Sequence, residues 1–392
     1  MTGEPHCASS GSTRPKLLFT VTEDWAFCSH RLPTAFAARD AGFDVVVAAR
    51  MRKHRDQIEA LGFRTVQWSI KRESQNPLSE LSALLDLIRI YKAERPDVSY
   101  HVALKSIIYG SIAARLCGVG ASVNLFSGLG VVFISNTPWF RFVRTLVTPV
   151  LRWALKPSHV RLQVQNADDR AVLNGLGISA PERTDLVPGS GLDLENFPET
   201  PEPTTDPANG PPMAVLVARM LWDKGIGELV EAARLLKRRN VALRIVLVGN
   251  PDPANPASIS EPQLNTWVDE GLVEWWGRRE DIADILMQSH IAVLPSYREG
   301  MPRSLLEAAA VGRPLVAFDA VGCRDLIRDG ENGLLVPFQD ITALADALEK
   351  LSKDAHLRQR LGRRARLDIE TIYSADAIRA RITGILSTLK SL

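Results

Sequence analysis

The chain has 392 residues, of which 45% are hydrophobic and 23% are charged, and its formal net charge is +2 at pH 7. This composition is typical of a globular protein, and the length fits two domains rather than one. The near-neutral charge argues against a dedicated nucleic-acid-binding protein. The four cysteines are scattered without a Cys-x-x-Cys spacing, so reduced thiols in the cytoplasm are expected rather than a zinc site or a disulfide framework.

The N-terminal residues are small and polar and lack the apolar core of a signal peptide, so residues 1–15 are predicted to form a disordered tail. A membrane-spanning helix needs about twenty apolar residues in a row. The most apolar window, 107–134, is interrupted by Arg115, Asn124 and several glycines. If the protein meets a membrane, we expect it to do so at the surface.

From Lys16 onward, short apolar runs alternate with amphipathic stretches, and this pattern predicts strands that alternate with helices. The first half predicts seven strands, at 17–21, 44–49, 64–68, 98–102, 122–126, 160–164 and 184–187. Helices are predicted between them at about 31–41, 78–95 and 107–117. Such alternation indicates a doubly wound α/β domain.

The stretch 195–212 is dense in proline, acidic and small residues and has no apolar face, so it predicts a linker. The alternation then restarts, with strands predicted at 213–218, 243–249, 291–294 and 333–336, and with a further strand after Pro314. Helices are predicted at 225–239, 282–288, 305–310, 342–351, 357–370 and 375–389. We therefore predict one domain over 16–194, a second over 213–372, and a terminal helix within 373–392 that packs back on the first domain through its apolar face.

The stretch 291–319 places two carboxylates near the end of a predicted buried strand. A loop with Arg298, Glu299 and Gly300 follows the strand, and Pro302 is predicted at the first position of a helix that carries Glu307. Open α/β sheets bind ligands at this end of their strands. Taken alone, two glutamates with seven residues between them mean little, because glutamate is common on ordinary helix surfaces.

Residues 289–319 resemble, nearly residue for residue, the donor-binding segment of the retaining glycosyltransferase family 4, including its Glu, seven residues, Glu signature. That family has the GT-B fold, in which two doubly wound Rossmann-like α/β domains enclose the site in the cleft between them. The resemblance implies this fold, and it implies a nucleotide-sugar donor bound by the second domain.

A nucleotide-sugar donor gains negative charge on its diphosphate as the glycosidic bond breaks, so an enzyme without a metal needs fixed positive groups there. The segment VLVARMLWDKG, residues 215–225, matches the diphosphate-binding Arg and Lys of the family at Arg219 and Lys224. The alternative is a solvated arginine and a lysine at a helix start, where the helix dipole disfavours a cation. Neither a metal nor another cofactor is expected.

The helix that carries Glu307 offers a second phosphate-binding device, because its N-terminal N–H groups and positive dipole end can face a diphosphate. The residues that lead into it are Gly300, Met301, Pro302, Arg303 and Ser304. The resemblance implies that Glu307 accepts hydrogen bonds from the ribose hydroxyls and that Glu299 lies beside the donor sugar. Gly249 and Arg278 occupy places where the family lines the nucleoside, although packing explains them almost as well.

The role of Glu299 is open among a nucleophile, an electrostatic partner of an oxocarbenium-like transition state and a ligand of sugar hydroxyls. Front-face attack, in which the departing phosphate takes the proton of the acceptor, is favoured because no second carboxylate is placed for double displacement.

Short stretches of the first half resemble a branch of the family that builds surface polysaccharides and lipid-linked oligosaccharides, such as the undecaprenyl-diphosphate-sugar N-acetylgalactosaminyltransferases. The resemblance includes residues 22–50, 127–130 and 165–170. It implies acceptor or cleft residues at Trp25, His30, Arg31, His101, Lys105, Gly128 and Gly130. The register of His101 is open, since a slip of one residue in a strand turns the side chain into the core.

The charge distribution suggests where the acceptor is met, because no Asp or Glu occurs in residues 98–167. The segment 138–156 mixes aromatic and basic residues, as expected for docking on an anionic membrane surface. The residues predicted to make that contact are Trp139, Arg141, Arg144, Arg152 and Trp153. The alternative is a helix whose apolar side is core and whose arginines are solvated, and Pro149 interrupts its regularity.

Together these features predict a cytoplasmic glycosyltransferase, peripheral on the inner face of the membrane. It is expected to move a hexose or N-acetylhexosamine from a nucleotide donor, UDP-linked, to a lipid-linked saccharide with retention of configuration. A UDP-N-acetylglucosamine epimerase of the same architecture and a non-catalytic sugar-nucleotide-binding protein are the alternatives. The intact set of Arg219, Lys224, Glu299 and Glu307 argues against a degenerate site.

Overall fold

The computed structural model describes residues 14–71, 76–135, 137–204 and 210–389. Most of the predicted disordered tail, residues 1–13, and part of the predicted linker, residues 205–209, lie outside these ranges. The described chain forms two parallel sheets, one of seven and one of six strands, with helices between successive strands. The predicted α/β fold with two doubly wound sheets is confirmed.

The first sheet has the strand order β3-β2-β1-β4-β5-β6-β7. Its strands are β1 (Lys16–Glu23), β2 (Asp44–Arg50), β3 (Arg64–Gln67), β4 (Val98–Val102), β5 (Ala121–Phe126), β6 (Val160–Val164) and β7 (Thr184–Leu186). All seven predicted strands are confirmed with small differences at their ends. Helices cover both faces of a parallel sheet, which is why β2, β4 and β5 are nearly continuous buried runs.

Eight helices accompany this sheet in the described ranges: α1 (Asp24–His30), α2 (Leu32–Asp40), α3 (Arg55–Ala60), α4 (Pro77–Glu94), α5 (Ala103–Cys117), α6 (Gly130–Ile134), α7 (Pro138–Ala154) and α8 (Ala167–Gly175). Helix α4 begins where predicted because Asn76 caps it: its side chain accepts a hydrogen bond from Leu78 N. Asn166 caps α8 in the same way by accepting from Asp169 N. Short helices such as α1 and α3 were not predicted, because fewer than two turns show no apolar period.

The second sheet has the order β10-β9-β8-β11-β12-β13. Its strands are β8 (Met213–Val217), β9 (Arg244–Val248), β10 (Glu274–Trp275), β11 (Ile291–Leu294), β12 (Leu315–Phe318) and β13 (Gly333–Val336). Its helices are α9 (Ile226–Arg238), α10 (Glu261–Asp269), α11 (Ile282–Met287), α12 (Arg303–Ala310), α13 (Cys323–Leu326), α14 (Ile341–Lys353), α15 (Ala355–Asp368) and α16 (Ala375–Leu389).

Helix α12 begins one residue later than predicted. Pro302 has φ −74° and ψ 95°, so it is the N-cap and Arg303 is the first helical residue. The prediction of Pro302 at the first helical position is therefore wrong, because its ψ is extended rather than helical.

The chain reverses its direction of travel across the second sheet between β8 and β11, which are hydrogen-bonded neighbours. The strands that follow β8 in sequence lie on one side of it, and β11 to β13 lie on the other. Loops that leave the carboxyl ends of two such strands diverge and create a crevice, which is the usual ligand site of an open α/β sheet. Strands β1 and β4 form the equivalent point of the first sheet.

The described residues group into two compact units. One contains those within Met1–Leu125, Pro149–Arg161 and Ile382–Leu392, and the other those within Phe126–Thr148 and Leu162–Arg381. This grouping differs from the predicted boundaries, because described residues within 126–148 and 162–194 fall in the second unit although β6 and β7 belong to the first sheet. In the first unit, Thr383 Oγ1 of α16 donates to Ala37 O at 3.4 Å. The predicted boundaries stay predictions.

The first part of the predicted linker is fixed by arginines of the same unit. Arg366 Nη1 donates to Phe197 O at 2.9 Å, and Arg313 Nη1 donates to Thr200 O at 2.9 Å. Arg358 Nε donates to both carboxylate oxygens of Glu202 at 3.0 Å. Residues 197–202 have no apolar face, and the arginines hold them through backbone carbonyls and the carboxylate of Glu202. A hydropathy pattern does not reveal contacts of this kind.

Candidate active site

Two loops meet at the carboxyl ends of β8 and β11. The first contains a 3-10 turn, Trp222–Lys224, and the second runs from Pro295 to Pro302. Asp223 O joins them, because it accepts hydrogen bonds from Tyr297 N at 2.9 Å and from Ser296 Oγ at 3.2 Å. Residues predicted from two separate stretches of sequence are therefore neighbours.

Lys224 and Glu299 form the contact at the centre of these loops. Lys224 Nζ donates to Glu299 Oε1 at 2.6 Å, and their side chains are only 19% and 15% exposed. The residue after Lys224 explains the approach: Gly225 has φ +70°, and a Cβ there would lie 1.9 Å from Pro295 O. Only glycine lets the β8 loop come this close to the end of β11.

Arg219, the other predicted diphosphate ligand, follows β8 and is 56% exposed. Its Nη1 donates to Asp252 Oδ2 at 2.6 Å. Asp252 lies in the loop after β9, the strand on the other side of β8, and was not predicted. The sequence shows only that Asp252 lies four residues beyond the end of a strand, whereas the strand order brings it to Arg219 by placing β9 beside β8.

Glu307 lies one turn into α12 and is nearly buried. Arg303 Nε donates to Glu307 Oε1 at 2.8 Å across one helical turn. Burial raises the pKa of Glu307, and the Arg303 guanidinium opposes that rise. Arg303 was predicted only as a residue leading into the helix, so its pairing with Glu307 is new.

Gly300 packs against the segment that follows β5. A Cβ on Gly300 would lie 2.5 Å from Ser127 O and 2.8 Å from Gln165 Oε1, so no larger residue fits. Gly128 is brought to the same place, because a Cβ on it would lie 3.9 Å from Gly300 Cα. Met301 and Ser304 flank this point, whereas Gly130 opens α6.

The loop of Glu299 has two further partners that the sequence did not assign. Arg298 donates through Nη2 to the buried Asp169 Oδ1. Asn166 Nδ2 donates to Gly300 O at 2.9 Å. Residues 165–170 were noticed only as part of the family resemblance, without a role.

Packing explains one of the two predicted nucleoside-lining residues, Gly249, but not the other, Arg278. Gly249 N donates to Gly277 O at 2.8 Å, and Gly249 O accepts from Trp275 Nε1 at 2.8 Å. A Cβ on Gly249 would lie 1.8 Å from Ala218 O, so the packing alternative accounts for this glycine. Arg278 is 76% exposed, and its Nη2 lies 3.8 Å from Glu280 Oε1.

His101, predicted in β4 as an acceptor or cleft residue, is fully buried. Its Nε2 lies 2.7 Å from Tyr91 Oη, and its Nδ1 lies 2.7 Å from Asn124 Oδ1. Burial lowers the pKa of His101 to about 4. The prediction that His101 faces a cleft is therefore wrong, because the register of β4 turns it into the core.

The remaining predicted acceptor residues belong to the first unit and are not equally accessible. Trp25 is exposed, and its ring lies 6.4 Å from that of His30. Arg31 is buried, so its guanidinium does not present an open surface. Lys105 Nζ donates to Lys71 O and to Glu80 Oε1, each at 2.9 Å.

Helix α7 carries an exposed apolar stripe. Trp139, Phe142, Leu146, Val150 and Trp153 are all exposed at helical spacing, while Leu151 and Ala154 are buried. The alternative in which the whole apolar side is core is therefore wrong. Arg141 and Arg152 are exposed, but Arg144 donates to Val132 O at 2.9 Å and to Ser135 O.

Within the described ranges, no cluster of three or more His, Cys, Asp or Glu side chains could hold a metal ion. The expectation of a metal-free enzyme stays a prediction. None of the helices in the part of the chain that the structure describes is long and apolar enough to cross a bilayer. A cavity of about 620 Å³ between α5 and the end of α7 is lined by Arg115, Trp153 and His159 and by none of the predicted donor residues.

Solved structures share this architecture over nearly the whole chain. Sucrose-phosphate synthase from Thermosynechococcus elongatus matches with a TM-score of 0.76 and 20% identity, over 96% of this chain and 99% of that chain. WaaG, a glycosyltransferase involved in lipopolysaccharide biosynthesis, matches with a TM-score of 0.66 and 16% identity, over 94% and 99%. The fold is therefore that of the GT-B glycosyltransferases.

Family models and a curated relative define the class more closely. A model described as glycosyl transferase 4-like matches residues 16–162, and one described as glycosyl transferases group 1 matches residues 211–354. The N,N'-diacetylbacillosaminyl-diphospho-undecaprenol alpha-1,3-N-acetylgalactosaminyltransferase of Campylobacter jejuni is 29% identical over 86% of this chain and 89% of its own length. The chain is a glycosyltransferase and belongs to glycosyltransferase family 4. An epimerase and a non-catalytic binding protein are thereby disfavoured.

Proposed function

We propose that this enzyme transfers a hexose or N-acetylhexosamine from a UDP-linked donor to a lipid-linked saccharide, with retention of anomeric configuration and without a metal. The observation that carries the proposal is the Lys224–Glu299 contact of 2.6 Å at the carboxyl ends of β8 and β11. It puts a cation and a carboxylate side by side at the crevice where an open sheet binds its ligand.

The charges around this contact suit a sugar diphosphate. Lys224 and Arg219 follow the same strand and offer two positive groups to the diphosphate, which gains charge as the leaving group departs. The N–H groups at the start of α12 are further donors for a phosphate oxygen. Glu307, one turn into that helix, is assigned to the ribose hydroxyls.

The acceptor is inferred from the relatives. The Campylobacter jejuni relative is named for a diphospho-undecaprenol acceptor. An Escherichia coli relative, 27% identical over 71% of this chain and 72% of its own length, is named UDP-Gal:alpha-D-GlcNAc-diphosphoundecaprenol alpha-1,3-galactosyltransferase. Both names include an α-1,3 linkage. These names support a UDP-linked donor, a saccharide on a lipid diphosphate as the acceptor, and an α-linked product.

In the favoured mechanism, the acceptor hydroxyl attacks C1 on the face from which the phosphate departs. The C1–O bond to the diphosphate breaks, the new C1–O bond forms on the same side, and the departing phosphate oxygen takes the hydroxyl proton. Glu299, which accepts a hydrogen bond from Lys224, would stabilise the positive charge that develops on the sugar ring.

We further propose that α7 brings the enzyme to anionic lipid at the inner face of the membrane. Trp139 is 61% exposed and Phe142 is 56% exposed, and the exposed Arg141 and Arg152 are on the same helix. Aromatic side chains that enter the headgroup region next to cations are typical of peripheral membrane binding.

A donor screen tests the proposal. The purified enzyme is incubated with membrane lipid extract and, in turn, UDP-N-acetylgalactosamine, UDP-N-acetylglucosamine, UDP-galactose and UDP-glucose. We expect one donor to yield UDP and a lipid product that is one sugar heavier and α-linked by NMR. Lys224→Ala is expected to abolish the product, whereas Lys237→Ala, an exposed lysine of α9, is not. Consumption of the donor without a lipid product would refute the acceptor assignment, and a β linkage would refute retention.

A further inference from the structure

We infer that Asp169 and Asn166 are positioning residues of the transfer site: from the N-cap and first turn of α8 they hold the Arg298–Gly300 loop and so direct Glu299 toward Lys224. The inference rests on the proposed function, because it concerns the same site. Neither residue is exposed, so neither is assigned a contact with substrate.

Asp169 acts through Arg298. It lies in the first turn of α8, its side chain is fully buried, and its Oδ1 accepts from Arg298 Nη2. A charge-assisted bond to a guanidinium is strong and directional, so it defines where the residue before Glu299 lies. Burial raises the pKa of Asp169 and the Arg298 guanidinium opposes this rise.

Asn166 acts through the residue on the other side of Glu299. It is fully buried, and it uses both ends of its amide. Its Oδ1 accepts from Asp169 N at 2.7 Å, and its Nδ2 donates to Gly300 O at 2.9 Å. Because the side-chain amide of Asn166 is planar, its two hydrogen bonds fix the position of Gly300 relative to the first turn of α8.

Glu299 is thereby fixed from both neighbours and from its own backbone. Arg298 and Gly300 are tethered to the 166–169 turn, and Glu299 N donates to Val321 O at 2.9 Å in front of α13. The turn is itself anchored to α13, since Ala167 N donates to Asp325 Oδ1 at 2.9 Å. With the backbone held at these points, the Glu299 carboxylate meets Lys224.

The Asp169 pair is poorly suited to a purely stabilising role. Asp169 Oδ2 is buried and has no hydrogen-bond partner among the described residues. Burying a carboxylate with one oxygen unsatisfied is unfavourable, and an apolar pair of the same volume often stabilises a fold more. A directional ion pair next to a reactive carboxylate is better explained by the geometry that it imposes.

The test compares variants of both partners in the full-length enzyme. Asp169→Asn and Arg298→Met are expected to lower kcat for the lipid product by about tenfold or more, since a small misplacement at a reacting centre has effects of this size. The Kd for UDP, measured by calorimetry, is expected to stay near the wild-type value. Arg298→Lys should recover part of the loss, because it restores the charge. Asp168→Asn is the matched control. This neighbouring carboxylate is 36% exposed, and its ion pair with Arg324 Nη1 is a loose one, at 3.8 Å.

A cycle with Glu299→Gln separates positioning from a general effect on folding. If Asp169 acts through Glu299, adding Asp169→Asn to Glu299→Gln causes little further loss of kcat, although it is harmful in the wild-type background. Equal losses in both backgrounds would overturn the inference, as would a wild-type kcat in Asp169→Asn. Should Asp169→Asn fail to fold, the Arg298→Lys and Arg298→Met pair gives the same comparison. If Glu299→Gln and Lys224→Ala are themselves fully active, the proposed function fails instead.

Discussion

Individual side chains in and around the candidate site are joined as pairs of opposite charge. The pairs differ in exposure to solvent, and this difference determines how readily each cation can leave its carboxylate to bind a ligand. An exposed pair contributes little because water screens it, whereas a half-buried pair is held more firmly. In order of position along the chain, the cations and their partners are Arg219 with Asp252, Lys224 with Glu299, Arg298 with Asp169, and Arg303 with Glu307.

Asp252→Asn is expected to strengthen the binding of UDP. We expect the carboxylate of Asp252 to compete with the diphosphate of the donor for Arg219. Because this ion pair is exposed, removal of the carboxylate should lower the Kd for UDP by about two- to fivefold. Calorimetry with UDP measures the change. Asp269→Asn, which removes an exposed carboxylate from α10, is the control. Weaker binding by Asp252→Asn would show that Asp252 orients Arg219 for the donor rather than competing with it.

Glu307→Gln is expected to separate stability from binding. Since the pKa of Glu307 is raised on folding, the folded state holds more protons than the unfolded state between the ordinary pKa of about 4.3 and the raised one. The contribution of Glu307 to the free energy of unfolding therefore falls as pH rises through that interval, and above it the burial of the ionised carboxylate is destabilising. Glu307→Gln should be at least as stable as wild type in urea at pH 7.

The same variant is expected to bind UDP about tenfold or more weakly, because the carboxylate that we propose as the ligand of the ribose hydroxyls is lost. Affinity for UDP in the wild type should also fall as pH decreases through the raised pKa of Glu307. A Kd for UDP that is unchanged in Glu307→Gln would remove Glu307 from the ribose.

Helix α7 leaves five large apolar side chains exposed, three of them aromatic, whereas the exposed large apolar side chains of α4 are leucines. We expect the double variant Arg141→Glu, Arg152→Glu to bind vesicles that contain phosphatidylglycerol with an affinity about tenfold or more lower than wild type. The reason is that each basic residue near an anionic surface contributes about 1 kcal/mol to binding. Trp139→Ala should weaken binding as well. Arg144 is left in place because it ties α7 to Val132 and Ser135.

Co-sedimentation measures this binding, with neutral phosphatidylcholine vesicles and high salt as conditions that should reduce it. The control is Arg360→Glu, Arg363→Glu, a pair of exposed arginines on α15. If both double variants bind equally, α7 is not the membrane contact.

The loop between β8 and α9 depends on Gly225. Gly225→Ala is expected to lower kcat and the melting temperature, because a Cβ would lie 1.9 Å from Pro295 O and would drive the loop that carries Lys224 away from Glu299. Gly118→Ala is the matched control: its φ of +68° is nearly the same as the +70° of Gly225, but no atom lies within 4 Å of its Cβ. The left-handed backbone conformation costs alanine about 1–2 kcal/mol in both variants. Any further loss of stability in Gly225→Ala is therefore due to the clash of its Cβ with Pro295 O.

The stability of the second unit depends on more than its apolar core, since buried arginines attach residues 197–204 to α15 and to the end of α12. Arg358→Met is expected to decrease the free energy of unfolding by about 3–5 kcal/mol, because Glu202 is left buried without its partner. Urea denaturation gives the value. Arg363→Met on the exposed face of α15 should change it little. Equal stabilities would show that the segment is not held by Arg358.

Much of this architecture follows from local pattern. Apolar runs of strand length and amphipathic stretches of helix length recur along the chain, and both depend only on neighbouring residues. The strands of the first sheet, and those strands of the second sheet that have four or five residues, were therefore predictable. The family motif likewise placed Arg219, Lys224 and Glu299 in loops that follow strands, and Glu307 in the helix after the second of these loops. Because the carboxyl ends of parallel strands share one edge, this was enough to expect a common site.

The contacts between side chains that are distant in the sequence, by contrast, are determined by the order of the strands and by which faces of the sheets the helices cover. The pairing of Arg219 with Asp252 needed β9 beside β8, and the tethering of Glu299 by Asn166 and Asp169 needed the packing of α8 against the loop after β11. Periodicity shows that a strand has two faces but not which element lies on each. The sequence therefore left the register of His101 open, and it allowed both an exposed and a core position for the apolar side of α7. Long-range packing decides such contacts, and no stretch of sequence contains that information on its own.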